Sequence, residues 1–171
     1  MVKQFLVDGD PDVDAIFRLT TPGSFSFDKN LDKSIYVTDG QVCPYNSQNT
    51  IHMEEAFPFL YLPSFVSFRM TDIWRSLIAQ MYFAKRGLGV EFLPPNSIQE
   101  RNEHDLVKDL SQELDGYYFN DLIVDTCEKI EADDPLDYLV QSYTALSKVG
   151  VIPVNESVLV AKWCDRLSSI Y

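Results

Sequence analysis

Seven of the chain's nine prolines lie before residue 100, leaving only Pro135 and Pro153 after it. Proline lacks an amide donor and clashes inside a helix, so it is confined to first turns, loops and strand margins. The first hundred residues must therefore break into short elements, whereas the last seventy can run as helix after helix. Charge divides at the same place. Residues 1–99 carry 8 basic and 11 acidic side chains, and residues 100–171 carry 6 and 15, which together give the net charge of -12. A soft boundary is expected at Leu114-Asp115-Gly116, giving a first unit over 1–115 and a helical extension over 116–171. No Gly/Ser linker, internal repeat or low-complexity tract separates them.

Composition narrows the class. A chain of 171 residues can bury one core, and 13% aromatic residues cannot stay solvated as a disordered tail. No apolar run approaches the roughly 18–20 residues of a membrane helix, so no membrane span is expected. The net charge argues against nucleic acid as a partner, because phosphate neutralisation needs a basic surface. Three widely spaced cysteines, Cys43, Cys127 and Cys164, fit reduced thiols. With no secretory h-region in the opening residues, the expected location is cytoplasmic.

The strongest local signal is a helix opening at Thr71-Asp72 and stopping at Gly87. Ile73, Trp74, Leu77, Ile78, Met81 and Tyr82 recur at helical spacing, Thr71 serves as N-cap, and Asp72 complements the positive helix end. Upstream, Val13 to Leu19 reads as a strand or extended segment. Thr20 to Gly40 is turn-rich, with Pro22-Gly23 and Asp39-Gly40 as breakers around a short strand at 34–38. Residues 43–50 form a polar loop, and 51–62 contain a short helix. Val90 to Leu93 reads as a strand ending at Pro94-Pro95. Helices are expected over 100–114, 117–131, 135–149 and 155–169, the last capped by Asn155. The apolar faces of these C-terminal helices show no polar cluster, which reads as scaffold or a docking surface.

Four constellations could carry chemistry. The alternating aspartates from Asp8 to Asp14 offer oxygens to a hard cation, or form a solvated turn with Asp14 capping or pairing to Arg18. They do not make an EF-hand, since glycine and glutamate are missing from the required places. The run Pro44-Tyr45-Asn46-Ser47-Gln48-Asn49-Thr50 is dense in amides and hydroxyls. Such groups recognise hydroxyl-rich ligands or stabilise their own turns. Asp72, flanked by Arg69 and Arg75, is a dipole-complementing residue, or an Asp–Arg pair here holds it as a general base or binds phosphate through the arginine. His104, at a helix start among Glu100, Glu103 and Asp105, is a surface residue or a metal ligand with raised basicity. His52, the second histidine, has no such company. No G-x-S-x-G, H-E-x-x-H, G-x-x-x-x-G-K-[ST] or G-x-G-x-x-G occurs.

Taken in order, PDVDAIFRLT at 11–20, PYNSQNTIH at 44–52, FRMTDIWRSLIAQ at 68–80 and ERNEHDLVKDL at 100–110 resemble the STELLO-like glycosyltransferases. The similarity spans roughly residues 8 to 115. More distantly, the layout is similar to the reversibly glycosylated polypeptides, the UDP-arabinopyranose mutase family. The resemblance implies an α/β chain: the C-terminal, acceptor-side half of a GT-A-like nucleotide-sugar transferase fold with few strands, followed by an all-helical tail. It implies a nucleotide-sugar donor, a glycan or other hydroxyl acceptor, and Mn2+ or Mg2+. Asp72 then takes the catalytic carboxylate role with Arg69 beside it, and His104 the metal-site histidine. Asp14, Arg18, Asn46, Asn49 and Arg75 fall on the donor or sugar side. Asp12 and Asp14 match a motif that follows the metal-binding D-x-D, not that motif itself.

Only about seven residues precede the acidic run, whereas a βαβ nucleotide unit needs roughly thirty or more. The expectation is therefore a glycosyltransferase-like chain lacking its nucleotide-binding half, as a fragment or a natural truncation, with a missing half or partner chain. The rival expectation is a non-catalytic carbohydrate- or protein-binding module derived from such an enzyme.

Overall fold

A computed structural model describes every residue except 22, 25, 28–32, 39 and 171. Of the expected turn breakers, Pro22 and Asp39 lie outside the described residues. The fold is mixed α/β, as the sequence implies. Its strands are β1 (Val2–Gly9), β2 (Ile35–Val37), β3 (Thr50–His52) and β4 (Val90–Gln99). Its α-helices are α1 (Ala15–Thr20), α2 (Thr71–Ala84), α3 (Leu106–Cys127), α4 (Pro135–Lys148) and α5 (Val154–Ser168), with 3-10 turns over Glu54–Leu60 and Phe68–Met70.

The sheet has the order β2-β4-β1-β3. β1 is central, parallel to β4 and antiparallel to β3, while β2 lies antiparallel on the far side of β4. Local sequence signals predict no strand at the N-terminus and end β4 at its prolines, yet β4 runs ten residues. The ladder explains this. Phe5 pairs with Leu93 and Val7 with Ser97, so Leu6 alone faces Pro94, Pro95 and Asn96. A bulge thus lifts the two residues without an N–H out of the hydrogen-bonding register.

Val13 to Leu19 is not a strand. Asp14 has extended backbone angles and its carboxylate accepts the Phe17 amide, which caps the helix α1. α2 forms as its periodicity requires, but Thr71 is its first helical residue, not its cap. Its hydroxyl donates to the Phe68 carbonyl, and Met70 is the N-cap. Ten consecutive residues, Trp74 to Phe83, are buried, so α2 is a core helix wrapped on all sides.

The expected break at 114–117 is absent, and α3 runs 22 residues through Gly116. The 1–115/116–171 division therefore falls inside this helix. A Cβ on Gly116 would stand 2.5 Å from Met70 Sδ, so the glycine here permits close packing instead of ending a helix. At α5 the N-cap is Pro153, not Asn155, and the helix makes no side-chain cap bond.

One buried cluster joins Val2 and Val90 of the sheet to Trp74, Leu77, Ile78 and Phe83 of α2. It continues into Ile123, Tyr138, Tyr143 and Val160 of the C-terminal helices. Within it, Glu156 of α5 is completely buried. Its carboxylate accepts the Tyr61 hydroxyl and the amides of Ser64 and Phe65 at 2.9 and 2.6 Å. The helical region thus does carry a polar cluster, and that cluster fastens the 61–65 segment to α5. Among the described residues, no helix is long and apolar enough to cross a membrane.

Candidate active site

Three segments distant in sequence meet around a cleft of about 960 Å³. One wall is the 44–48 loop with Asp12 and Asp14, one is the start of α2 with its preceding 3-10 turn, and one is the 101–109 segment with the first half of α3. Asp72, Arg69, Asp14, Asn46 and His104 all line it. Arg18, Asn49 and Arg75 do not.

Asp72 sits in the first turn of α2, and its Oδ2 accepts the Ser47 amide at 2.8 Å. The polar loop therefore orients the carboxylate directly. Among the described residues no cation lies within ion-pair distance of Asp72. The flanking arginines serve other partners. Arg69 bonds Asp109 and lies 3.4 Å from Glu113, one turn further along α3. Arg75 is buried behind the loop, donates to Ser47 Oγ at 3.1 Å, and lies over the Tyr45 ring at 5.6 Å. Arg75 and Asp72 thus grip opposite ends of one serine.

Glu113 joins the walls. Its Oε2 accepts the Ala15 amide at 2.7 Å while Oε1 faces Arg69, tying α1, α3 and the 3-10 turn together. Burial works against the charge on Asp109, but Arg69 and then His104 outweigh it and hold its carboxyl below the usual value. Asp14 caps α1 and accepts the Tyr117 hydroxyl at 3.1 Å. Burial and the Asp14 charge push that phenol up to about 12.

Most loop amides are consumed by the fold. Asn46 Oδ1 accepts Gln4 Nε2 and the Gln48 amide, while its Nδ2 donates to the Asp12 carbonyl. Asn49 donates to Asn96 Oδ1 and Ser97 Oγ, facing a separate groove beside β4. Gln48 differs: its Oε1 accepts the Asp12 amide, but its buried Nε2 has no acceptor. Arg18 pairs with Asp10, not Asp14, and donates to the Pro11 carbonyl. His52 is not isolated: its ring stands 5.9 Å from that of Tyr45. Burial, Arg75 and the N-terminus lower its pKa to about 4.

His104 precedes α3, whose cap is Asp105, and its Nδ1 lies 3.2 Å from Asp109 Oδ2. A divalent cation needs several such donors around one point. Among the described residues no group of three His, Cys, Asp or Glu side chains converges to hold one. Asp109, the neighbour of His104, is already engaged by Arg69. The described residues do not make a complete cation site.

Ser47, Gln48 and Asp109 lie in the segments 44–52 and 100–110 and Glu113 just beyond them, and local sequence does not mark any of the four as a site residue. Their roles depend on contacts across 25 to 98 positions of sequence, which periodicity and capping signals do not encode.

Residues 69–145, spanning the start of α2 to most of α4, match the family described as STELLO glycosyltransferases. The chain is 34% identical over 101 residues to "Probable glycosyltransferase STELLO1" of Arabidopsis thaliana, covering 56% of this chain and 13% of that protein. It is 32% identical over 98 residues to "Probable glycosyltransferase STELLO2" of the same plant, again covering 13% of the relative. The chain therefore spans about an eighth of the length of these curated relatives. Its Asp72 cleft lies largely within the matched segment, and over that segment the chain is similar to the STELLO glycosyltransferases.

Proposed function

We propose that the cleft is the acceptor side of a glycosyltransferase that uses a nucleotide sugar, with Asp72 as the carboxylate that orients and deprotonates the acceptor hydroxyl. The observation that carries this reading is the Ser47 amide holding Asp72 Oδ2 at the cleft wall. One carboxylate oxygen is fixed, and among the described residues no cation lies within ion-pair distance of the group. A carboxylate so placed can accept a proton as a hydroxyl attacks the anomeric carbon of the donor. Arg69 acts from behind, tying the start of α2 to Asp109 and Glu113, which makes it a positioning residue on this reading. The Mn2+ or Mg2+ that would neutralise a diphosphate leaving group would need ligands beyond the described residues, with His104 contributing at most one.

The second reading is a carbohydrate-binding module without turnover, favoured by that incomplete cation set. Calorimetric titration separates the two. UDP-sugar binding that strengthens on adding Mn2+ supports the transferase reading. Binding of glycans with no UDP-sugar binding, with or without Mn2+, supports the module and removes the donor from the account.

A further inference from the structure

Phe68 lines the cleft yet is 84% exposed, the most exposed large apolar side chain among the described residues. Its backbone is held firmly. The Phe68 carbonyl accepts both the amide and the hydroxyl of Thr71, and the neighbouring Ser67 hydroxyl bonds the Gln112 carbonyl of α3. A phenylalanine fixed in water beside a polar cleft leaves a large apolar area uncovered. Tyr117, on the α3 wall, is also half exposed.

The rest of the cleft says what covers that ring. Among the described residues, seven carboxylates line it against three arginine or lysine side chains. Two of those three, Arg69 and Arg101, are already in ion pairs with cleft carboxylates. The remaining negative charge repels phosphate, sulfate and carboxylate groups and favours hydroxyl donors, which carboxylates accept. Gln48 also lines the cleft, and among the described residues its buried Nε2 has no acceptor. An apolar platform among hydroxyl-binding groups suits a sugar ring, which has one face of C–H bonds and a rim of hydroxyls. The slightly positive C–H hydrogens meet the negative face of the aromatic ring.

We propose that Phe68 is the stacking platform of a saccharide subsite that takes uncharged sugar rings and rejects anionic ones. The proposal rests on the acceptor-side reading of the cleft and names the class of acceptor. It does not require turnover, so binding alone tests it.

The experiment probes an array of neutral, carboxylated and sulfated saccharides with the wild-type chain, Phe68→Ala and Phe68→Trp. Circular dichroism checks that each variant is folded. The expected result is signal confined to neutral saccharides, weakened about tenfold by Phe68→Ala and retained by Phe68→Trp. On bound saccharides the new indole should also shift its emission to the blue. Signal on anionic saccharides, signal indifferent to Phe68→Ala, or no signal on any saccharide overturns the proposal. A change in oligomeric state alone on Phe68→Ala also overturns it, by making Phe68 a protein contact. UDP-sugar binding in the titration above is read separately, so loss of the platform leaves the transferase reading standing.

Discussion

Glu156 shows what a single residue contributes here. Its buried carboxylate is the shared acceptor for the Tyr61 hydroxyl and two backbone amides. Glu156→Ala leaves those donors without a partner and should cost about 3 kcal/mol of stability, measured by urea unfolding. Local sequence does not mark this role, because the partners of Glu156 are more than ninety positions away.

Titration gives a second prediction. Burial raises Tyr45 to about 12, Cys127 to about 12 and Cys164 to about 11, and lifts Tyr61, Tyr138 and Tyr143 above the ordinary tyrosine value. Groups with raised folded values stabilise fully below their unfolded values, about 8.5 for cysteine and 10 for tyrosine, and that stability is lost as pH rises. His52 runs the other way. Lowered to about 4, it contributes fully above about 6.5 and loses its contribution as pH falls toward 4. Asp109, held below its usual value, acts in the same direction at still lower pH. Thermal midpoints should therefore plateau between about pH 7 and 8.5 and fall on both sides. A midpoint that climbs from pH 9 to 11 would contradict this.

Among the elements, β2 depends on a glycine outside it. A Cβ at Gly89 would stand 2.1 Å from the Val37 carbonyl oxygen, and backbone cannot step aside as a side-chain tip can. Gly89→Ala should destabilise by about 2 kcal/mol and speed amide exchange chiefly at residues 35–37. Exchange unchanged in β2 would show that the strand tolerates the displacement. Gly116 makes the complementary point. Leu114-Asp115-Gly116 reads as a boundary, but the small size of Gly116 serves Met70 instead. α2, α4 and α5 were legible because periodicity and flanking breakers agree. α1 was not, because a six-residue helix with exposed Ile16 and Phe17 has almost no apolar face to announce it. β4 continued past its prolines through a bulge that depends on its pairing with β1, which local signals do not record.

At the scale of the whole molecule, the proline and charge asymmetry separates two kinds of sequence that nonetheless share one buried cluster. Sheet, α2 and C-terminal helices should therefore unfold together, giving one calorimetric transition with matching calorimetric and van't Hoff enthalpies. Two resolved transitions would mean that the helices fold independently of the sheet. The cleft was legible as an ordered set of segments, and Asp72, Arg69, Asp14, Asn46 and His104 do come together. Which groups touch was not legible, because the arginines beside Asp72 reach toward α3 and Ser47 instead. The most direct test of the acceptor-side account is sugar transfer by the protein in its full-length context, comparing wild type with Asp72→Asn. The account predicts a loss of roughly hundredfold or more in turnover with the fold intact. Turnover preserved in Asp72→Asn would contradict it.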